Sequence, residues 1–283
     1  LRSVAGGFLV TFVEREGRLV GLPADRVRSV VEAAGGSRVT VAGGVRTPGD
    51  IALADEARAD AQVGMALYKG EFDLADALAA CLKSDRADGL WPTVVCDEHG
   101  RALGLAYSNL ESLRVAIESG RGAYHSRSRG GLWEKGKTSG DTQDLLGVSV
   151  DCDRDALRFT VRQHGGGFCH LGTATCFGPA TGIAALNATI RARLADAPAG
   201  SYTRRLLDDP SLLEAKLREE AGELIAADAP SDAAWEAADV MYFAMVAALA
   251  RGASLADIER HLDRRTLKVT RRPGNAKPGG PTP

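Results

Sequence analysis

The chain has 283 residues, 45% apolar and 25% charged, with a formal net charge of −2. This composition excludes a fully disordered chain and, at roughly 100–200 residues per domain, allows about two domains or three small ones. The near-neutral charge argues against a whole-chain electrostatic grip on nucleic acid. No run approaches the ~18 apolar residues of a membrane span, so an integral membrane protein is not expected.

The start, Leu1-Arg2-Ser3-Val4, has no apolar run before a small-residue cleavage site, so no secretion signal is expected. It also lacks an initiator Met, so a fragment or a processed product is expected. The five cysteines cannot all pair within the chain. A cytoplasmic protein with metal-binding or free thiols is the better expectation.

Residues 1–82 predict short strands alternating with helices. Strands are expected at 8–13, 38–42 and 61–63, and helices at 24–34, about 48–59 and 73–82. That rhythm indicates α/β layering with a parallel sheet. Residues 83–90 are polar and break the pattern. From 91 to about 178 come β-branched runs at 93–96, 145–150 and 157–161, with one helix near 109–119. This middle part reads as mainly β.

From 180 onward the pattern is helical, near 211–227, 231–250 and 254–270, with a serine at each start as a cap. Ala197-Pro198-Ala199-Gly200 suggests a linker. The last stretch, 271–283, carries four prolines and three glycines and reads as a flexible tail. The fold class expected is multidomain α+β.

Asp151, Asp153 and Asp155 stand at spacing two, on one face if the segment is a strand. Three convergent carboxylates call for a hard cation such as Mg²⁺. Cys152 would point to the opposite face and serve a different site, one option being another subunit. Cys152, Cys169 and Cys176 supply three soft ligands, the number a catalytic Zn²⁺ keeps beside an open position. His170, next to one of them, suits a general base or proton shuttle. Spacing alone also allows a solvated strand face and small buried cysteines.

Between 124 and 140 lie Arg127, Arg129, Trp133, Lys135, Lys137, Thr138 and Ser139. Cations and hydroxyls bind phosphate and an indole can stack on a base, so a nucleotide is suggested. In the helical part, Glu219, Glu220 and Glu223 line one helix side, and Glu236 and Asp239 another. Were the two sides to face each other, the carboxylates would hold divalent metal.

Residues 91–178 resemble phosphoribosyl-AMP cyclohydrolase of histidine biosynthesis. The strings are Ser126-Arg127-Ser128-Arg129, Leu132-Trp133-Glu134-Lys135-Gly136, Thr138-Ser139-Gly140, Gln143, 151–157, Cys169-His170 and Cys176-Phe177. The resemblance implies Zn²⁺ on Cys169 and Cys176 with Cys152 from a partner chain, hence a homodimer. It implies Mg²⁺ on the three aspartates and zinc hydroxide attacking adenine C6 to open the N1–C6 bond. It further implies that Arg127, Arg129, Trp133, Lys135, Lys137, Thr138, Ser139 and Gln143 meet the substrate.

Ser201-Tyr202-Thr203, 216–223 and Glu236-x-x-Asp239, within 198–268, resemble phosphoribosyl-ATP pyrophosphohydrolase, an all-α enzyme. That likeness implies Mg²⁺ on Glu219, Glu220, Glu223, Glu236 and Asp239. Its product, phosphoribosyl-AMP, would be the substrate of the preceding domain, giving two consecutive steps to ProFAR.

Residues 1–82 are similar to the C-terminal half of the pathway's (β/α)₈ isomerase family, through Val41-Ala42-Gly43-Gly44-Val45 and 64–70. The family's catalytic acid would fall at Phe12, and the first half-barrel has no counterpart in this sequence. A half-barrel relic with a structural or docking role is therefore expected. Residues 267–277 resemble the junction that precedes histidinol dehydrogenase in fungal trifunctional proteins. The readings held against two live domains are one dead domain, or a zinc-stabilised binding module. Neither nucleic acid nor membrane is an expected partner.

Overall fold

The computed structural model describes residues 5–266. The chain divides into two compact units after Gly178.

The first unit opens with β1 (Gly7–Thr11), α1 (Ala24–Ala34), β2 (Arg38–Ala42), α2 (Pro48–Glu56), β3 (Asp60–Gln62), α3 (Met65–Tyr68) and α4 (Leu74–Ala79). The strands form a parallel sheet in the order β1-β2-β3, with Gly7 opposite Arg38 and Thr40 opposite Asp60. Parallel strands need crossover connections, and α1 and α2 supply them. Val39 and Val41 of β2 bury against Val27 of α1 and Ala54 of α2. Thr47 and Asp50 cap α2 reciprocally with Pro48 in the first turn, so this start is encoded locally. After β2 the chain must turn beside Phe12. Gly43 does so at φ 89°, where a Cβ would stand 2.6 Å from the Phe12 carbonyl oxygen. The α/β alternation is as expected; α3 is an addition, and Asp73 caps α4 rather than beginning it.

The same unit continues with β4 (Trp91–Cys96), β5 (Ala102–Ser108), α5 (Leu110–Ser119), β6 (Ala123–Ser126), β7 (Gly131–Glu134), β8 (Gln143–Val150) and β9 (Leu157–Gln163). Four strands make a mixed sheet in the order β5-β4-β9-β8, and β6 and β7 pair as a hairpin. Tyr124, Phe159, Leu113 and Val95, all fully buried, form its centre. Ala75 of α4 belongs to that same core, with Leu78 and Leu82 packed on it. Arg114 of α5 donates to Asp73 at 2.5 Å and to Asp76 at 2.6 Å. The N-terminal segment is thus bound to the central sheet by both apolar and ionic contacts.

The second unit is all helical: α6 (Gly182–Ala195), α7 (Tyr202–Asp208), α8 (Pro210–Ala226), α9 (Pro230–Ala250) and α10 (Leu255–Thr266). Ile190 of α6 is buried with Leu206, Leu213, Phe243 and Val246. Ala197–Gly200 therefore joins two helices that share one core. Of the serines expected as caps, Ser254 plays the part, exchanging hydrogen bonds with Asp257. α8 is instead capped by Asp209, and both α8 and α9 begin on a proline. Proline's fixed φ and missing N–H suit a first helical position, so these helices start before their serines.

α9 is the helix that bears on the membrane expectation. An 18-residue window of it reaches a mean hydropathy of 1.3, long and apolar enough by composition to cross a membrane. Here its apolar residues Phe243, Met245, Val246 and Leu249 pack in the helical core. The expected extension of the last helix to 270, the tail and the junction segment lie outside the described residues.

Candidate active sites

Two thiols come together after β9. The Cys169 amide donates to the Thr173 carbonyl at 3.1 Å, and the Cys176 amide donates to Leu103 at 2.8 Å, tying the segment to β5. Phe168 sets its ring 6.5 Å from that of Trp133. Gly104 makes room: a Cβ there would stand 2.2 Å from the Phe168 ring and 3.2 Å from Cys176 Sγ. Cys169 and Cys176 lie within hydrogen-bonding reach of each other. The Leu171 amide, and behind it the Lys135 ammonium, hold the Cys169 thiol below its ordinary range. Burial, then the neighbouring Cys169, push Cys176 up.

Lys135 is buried and donates Nζ to the Gly167 carbonyl at 3.2 Å. Burial lowers its pKa, opposed by Asp141 and the two thiols. Two neighbouring thiols, one of them with a lowered pKa, fit a soft metal such as zinc. His170 is exposed, with Nδ1 4.0 Å from Cys169 Sγ.

Cys152 does not join them. It is exposed, on the turn after β8. Among the described residues, the groups of three or more metal-binding side chains that converge are two carboxylate trios, and neither contains a thiol. One chain therefore brings two of the three expected zinc ligands to one place. Of the two spare thiols, Cys96 is buried and Cys81 half-buried.

The first trio is Asp151, Asp153 and Asp155, with oxygens all within 4.8 Å of one another. They converge through a turn, not through the alternation of a strand as expected. β8 ends at Val150, β9 begins at Leu157, and the Asp151 amide closes the turn on the Ala156 carbonyl at 3.2 Å. Arg154, at φ +71°, takes the left-handed conformation that bends the chain. The amides of Asp155 and Ala156 both donate to Asp151 Oδ1, at 3.0 and 3.1 Å. Burial would raise the Asp151 pKa, but the Ala156 amide and its companions outweigh it and leave it lowered. Asp155 is raised, first by its hydrogen bond with Asp151 and then by the charge of Asp153. Close, mutually repelling oxygens suit a hard cation.

The basic segment forms the β6–β7 hairpin and the turn after it. Tyr107, His125, Ser126, Arg127, Ser128 and Trp133 line a cavity of about 460 Å³, ample for a small ligand. The Arg127 guanidinium lies 4.0 Å from the Tyr107 ring centre, and Arg129 donates to Ser126 Oγ at 3.2 Å. Lys137 is exposed and pairs with Glu134 at 2.5 Å. Thr138 and Ser139 are exposed in the same turn, and Ser139 Oγ accepts the Asp141 amide at 3.3 Å.

Gln143 departs from expectation. It is fully buried, accepts the Tyr124 hydroxyl at 2.6 Å and donates to Gln163 at 2.8 Å, so both ends of its amide serve the core. Sequence reasoning missed Tyr107 and His125. His125 stood in the basic string and faces Asn109 at 3.2 Å, whereas Tyr107 arrives from β5 without a local signal.

The second trio lies between α8 and α9. Oxygens of Glu220, Glu223 and Glu236 come within 4.8 Å of one another. Glu220 is buried, and Lys216 Nζ reaches it at 2.8 Å and Glu219 at 2.9 Å. Glu219 itself is exposed at the edge of the group. Glu236 Oε2 is buried without a hydrogen-bond partner. Its pKa is raised by burial first, then by Glu223, Glu220 and Asp239. An orphaned carboxylate oxygen among like charges fits a divalent cation with oxygen ligands. Thr203 of α7 meets the Tyr242 hydroxyl at 2.9 Å and ties α7 to α9.

A family model described as phosphoribosyl-AMP cyclohydrolase matches residues 104–178, and one described as phosphoribosyl-ATP pyrophosphohydrolase matches 183–266. A third, histidine biosynthesis protein, matches 2–73. The histidine biosynthesis trifunctional protein of Komagataella pastoris is 52% identical over 209 residues, covering 74% of this chain and 25% of its own length. The bifunctional protein his7 of Schizosaccharomyces pombe is 51% identical over 207 residues, 73% of this chain and 49% of its own. The bifunctional protein HisIE of Parasynechococcus marenigrum is 36% identical over 196 residues, 62% of this chain and 88% of its own. The chain thus spans about a quarter of the length of the trifunctional relatives.

Proposed function

The chain belongs to the family of histidine-biosynthesis bifunctional proteins that join a phosphoribosyl-AMP cyclohydrolase domain to a phosphoribosyl-ATP pyrophosphohydrolase domain, and from this we propose that it catalyses both hydrolyses. The observation that carries the reading is the placement of three separate clusters. A thiol pair and one carboxylate trio fall in the first matched segment, and a second trio falls in the other. The assignment places the cyclohydrolase at 91–178, the pyrophosphohydrolase at 198–268 with α6 before it, and the relic at 1–82, with 269–283 as the tail.

In the helical unit, phosphoribosyl-ATP loses pyrophosphate to give phosphoribosyl-AMP. Glu220, Glu223 and Glu236, with Asp239 and Glu219 beside them, would hold Mg²⁺, which supplies charge neutralisation at the scissile phosphate link. Lys216 fixes Glu219 and Glu220 in place.

In the first unit, phosphoribosyl-AMP gains water across the adenine N1–C6 bond. Cys169, Cys176 and Cys152 of a second copy would hold Zn²⁺, which makes water acidic enough to attack near neutral pH. Asp151, Asp153 and Asp155 would hold Mg²⁺. Arg127, Arg129, Lys137, Thr138 and Ser139 bind phosphate, Trp133 faces the base, and Lys135 stands beside the two thiols. His170 accepts the proton of the attacking water and returns one to N1 as the bond breaks. The active protein is a homodimer, and it works in the cytoplasm, where ligand thiols stay reduced.

A coupled assay with phosphoribosyl-ATP, following pyrophosphate and product absorbance, tests this. Cys169→Ala is expected to abolish ring opening while pyrophosphate release continues. Loss of both activities in a folded variant would overturn the two-site assignment.

A further inference from the structure

Arg154 sits at the middle of the Asp151–Asp155 turn, in a left-handed conformation that costs a non-glycine residue energy. Such a residue persists where its surroundings over-determine it. Its guanidinium donates Nε to Asp55 Oδ2 at 2.9 Å and Nη2 to Asp55 Oδ1, a two-pronged bond, and Nη1 to the Asp151 carbonyl at 3.1 Å. Its own carbonyl accepts the Lys83 amide at 2.7 Å. Asp55 stands on α2, 99 residues before Arg154 and outside the stretch that matches the cyclohydrolase family. The pair is two-thirds or more removed from solvent, with side-chain exposures of 32% and 25%.

These contacts give the N-terminal segment a task that its own missing catalytic acid does not. We propose that residues 5–82 serve as a positioning element for the aspartate turn. Asp55, as a positioning residue, acts through Arg154 to hold Asp151, Asp153 and Asp155 in cation-binding register. The turn is short, and Arg154 fastens its side chain to Asp55 of the segment and its carbonyl to Lys83 just beyond it, so freeing the guanidinium lets the three carboxylates spread. The segment itself is held in place independently, through Ala75 in the shared core and Arg114 on Asp73 and Asp76. The proposal rests on the reading of 151–155 as a cation site.

The test is Mn²⁺ binding followed by electron paramagnetic resonance on the full chain. Glu220→Gln and Glu223→Gln are introduced first to silence the helical trio. Supporting partners of metal ligands typically set affinity by about 10- to 100-fold. Asp55→Asn is therefore expected to weaken Mn²⁺ binding by about tenfold, with Asp55→Glu recovering most of it. Asp151→Asn is the control for the underlying reading. If it leaves Mn²⁺ binding intact, the turn is not the cation site and the proposal falls with that reading. If Asp151→Asn abolishes binding while Asp55→Asn leaves it within twofold of the parent, the positioning role alone is overturned. Should Asp55→Asn unfold the first unit, Arg154→Lys, which keeps the charge and loses the fork, is judged by the same thresholds.

Discussion

At the residue scale, Glu236 shows how a local acid becomes a site. On a single helix it is one more solvated carboxylate; against α8 it faces Glu220 and Glu223 with one oxygen left without a partner. Its folded pKa is raised, so its neutral form favours folding at acid pH, and that contribution is lost as pH rises through the raised value. In chelator, the helical unit of the parent protein should therefore melt progressively lower than Glu236→Gln as the pH is brought from acid to neutral. Divalent metal should reverse the order, stabilising the parent and not the variant. Thermal melts with EDTA and with Mg²⁺ check both halves, and a variant that responds to metal like the parent would remove Glu236 from the site. Gln143 teaches the opposite lesson. A residue in a family-like string can be wholly internal, and its amide here completes the core beneath Tyr124.

At the element scale, the contact that matters is α4 on α5. Arg114 forks between Asp73 and Asp76, and Asp73 also caps its own helix by accepting the Asp76 amide at 2.7 Å. Burial alone would raise Asp73. The Asp76 amide and the Arg114 guanidinium outweigh it and hold the carboxyl below its ordinary value. A depressed folded pKa means that the contribution is complete above about pH 4 and fades as pH falls through the depressed value. Asp73→Asn is expected to cost about 1 kcal/mol or less, because the pair is a third exposed. That cost should vanish in acid, as read from unfolding midpoints across pH. A cost that stays constant with pH would show that packing, not charge, joins the two elements. The helices and strands themselves were largely legible, since their periodicity and most caps are local. Residues 151–155 were not read as a turn, because alternation looks the same in a strand and in a turn until hydrogen bonding stops at Val150.

At the scale of the whole molecule, Cys152 stands apart from Cys169 and Cys176 within one chain, and under the proposed shared zinc site ring opening requires two copies. Neither Cys152→Ala nor Cys169→Ala should open the ring alone. Mixed and reassembled, they form heterodimers in which one of two sites regains all three thiols. Roughly a quarter of the parental ring-opening activity should return, as half the dimers are mixed and half their sites intact. No recovery in confirmed heterodimers would place all three thiols in one chain. The sequence by itself determined the order of an α/β segment, a mainly β part and a helical part, and it supplied the carboxylates, thiols and cations proposed for metal and phosphate. Those follow from side-chain type, spacing and periodicity, all local in the chain. Only the tertiary structure decided which groups meet. It brought Glu236 to Glu220 and Glu223, sank Lys135 beside two thiols, kept Cys152 apart, and joined Asp55 to Arg154. Convergence depends on how packed faces rotate and where backbone hydrogen bonds end, and neither is written at any single position.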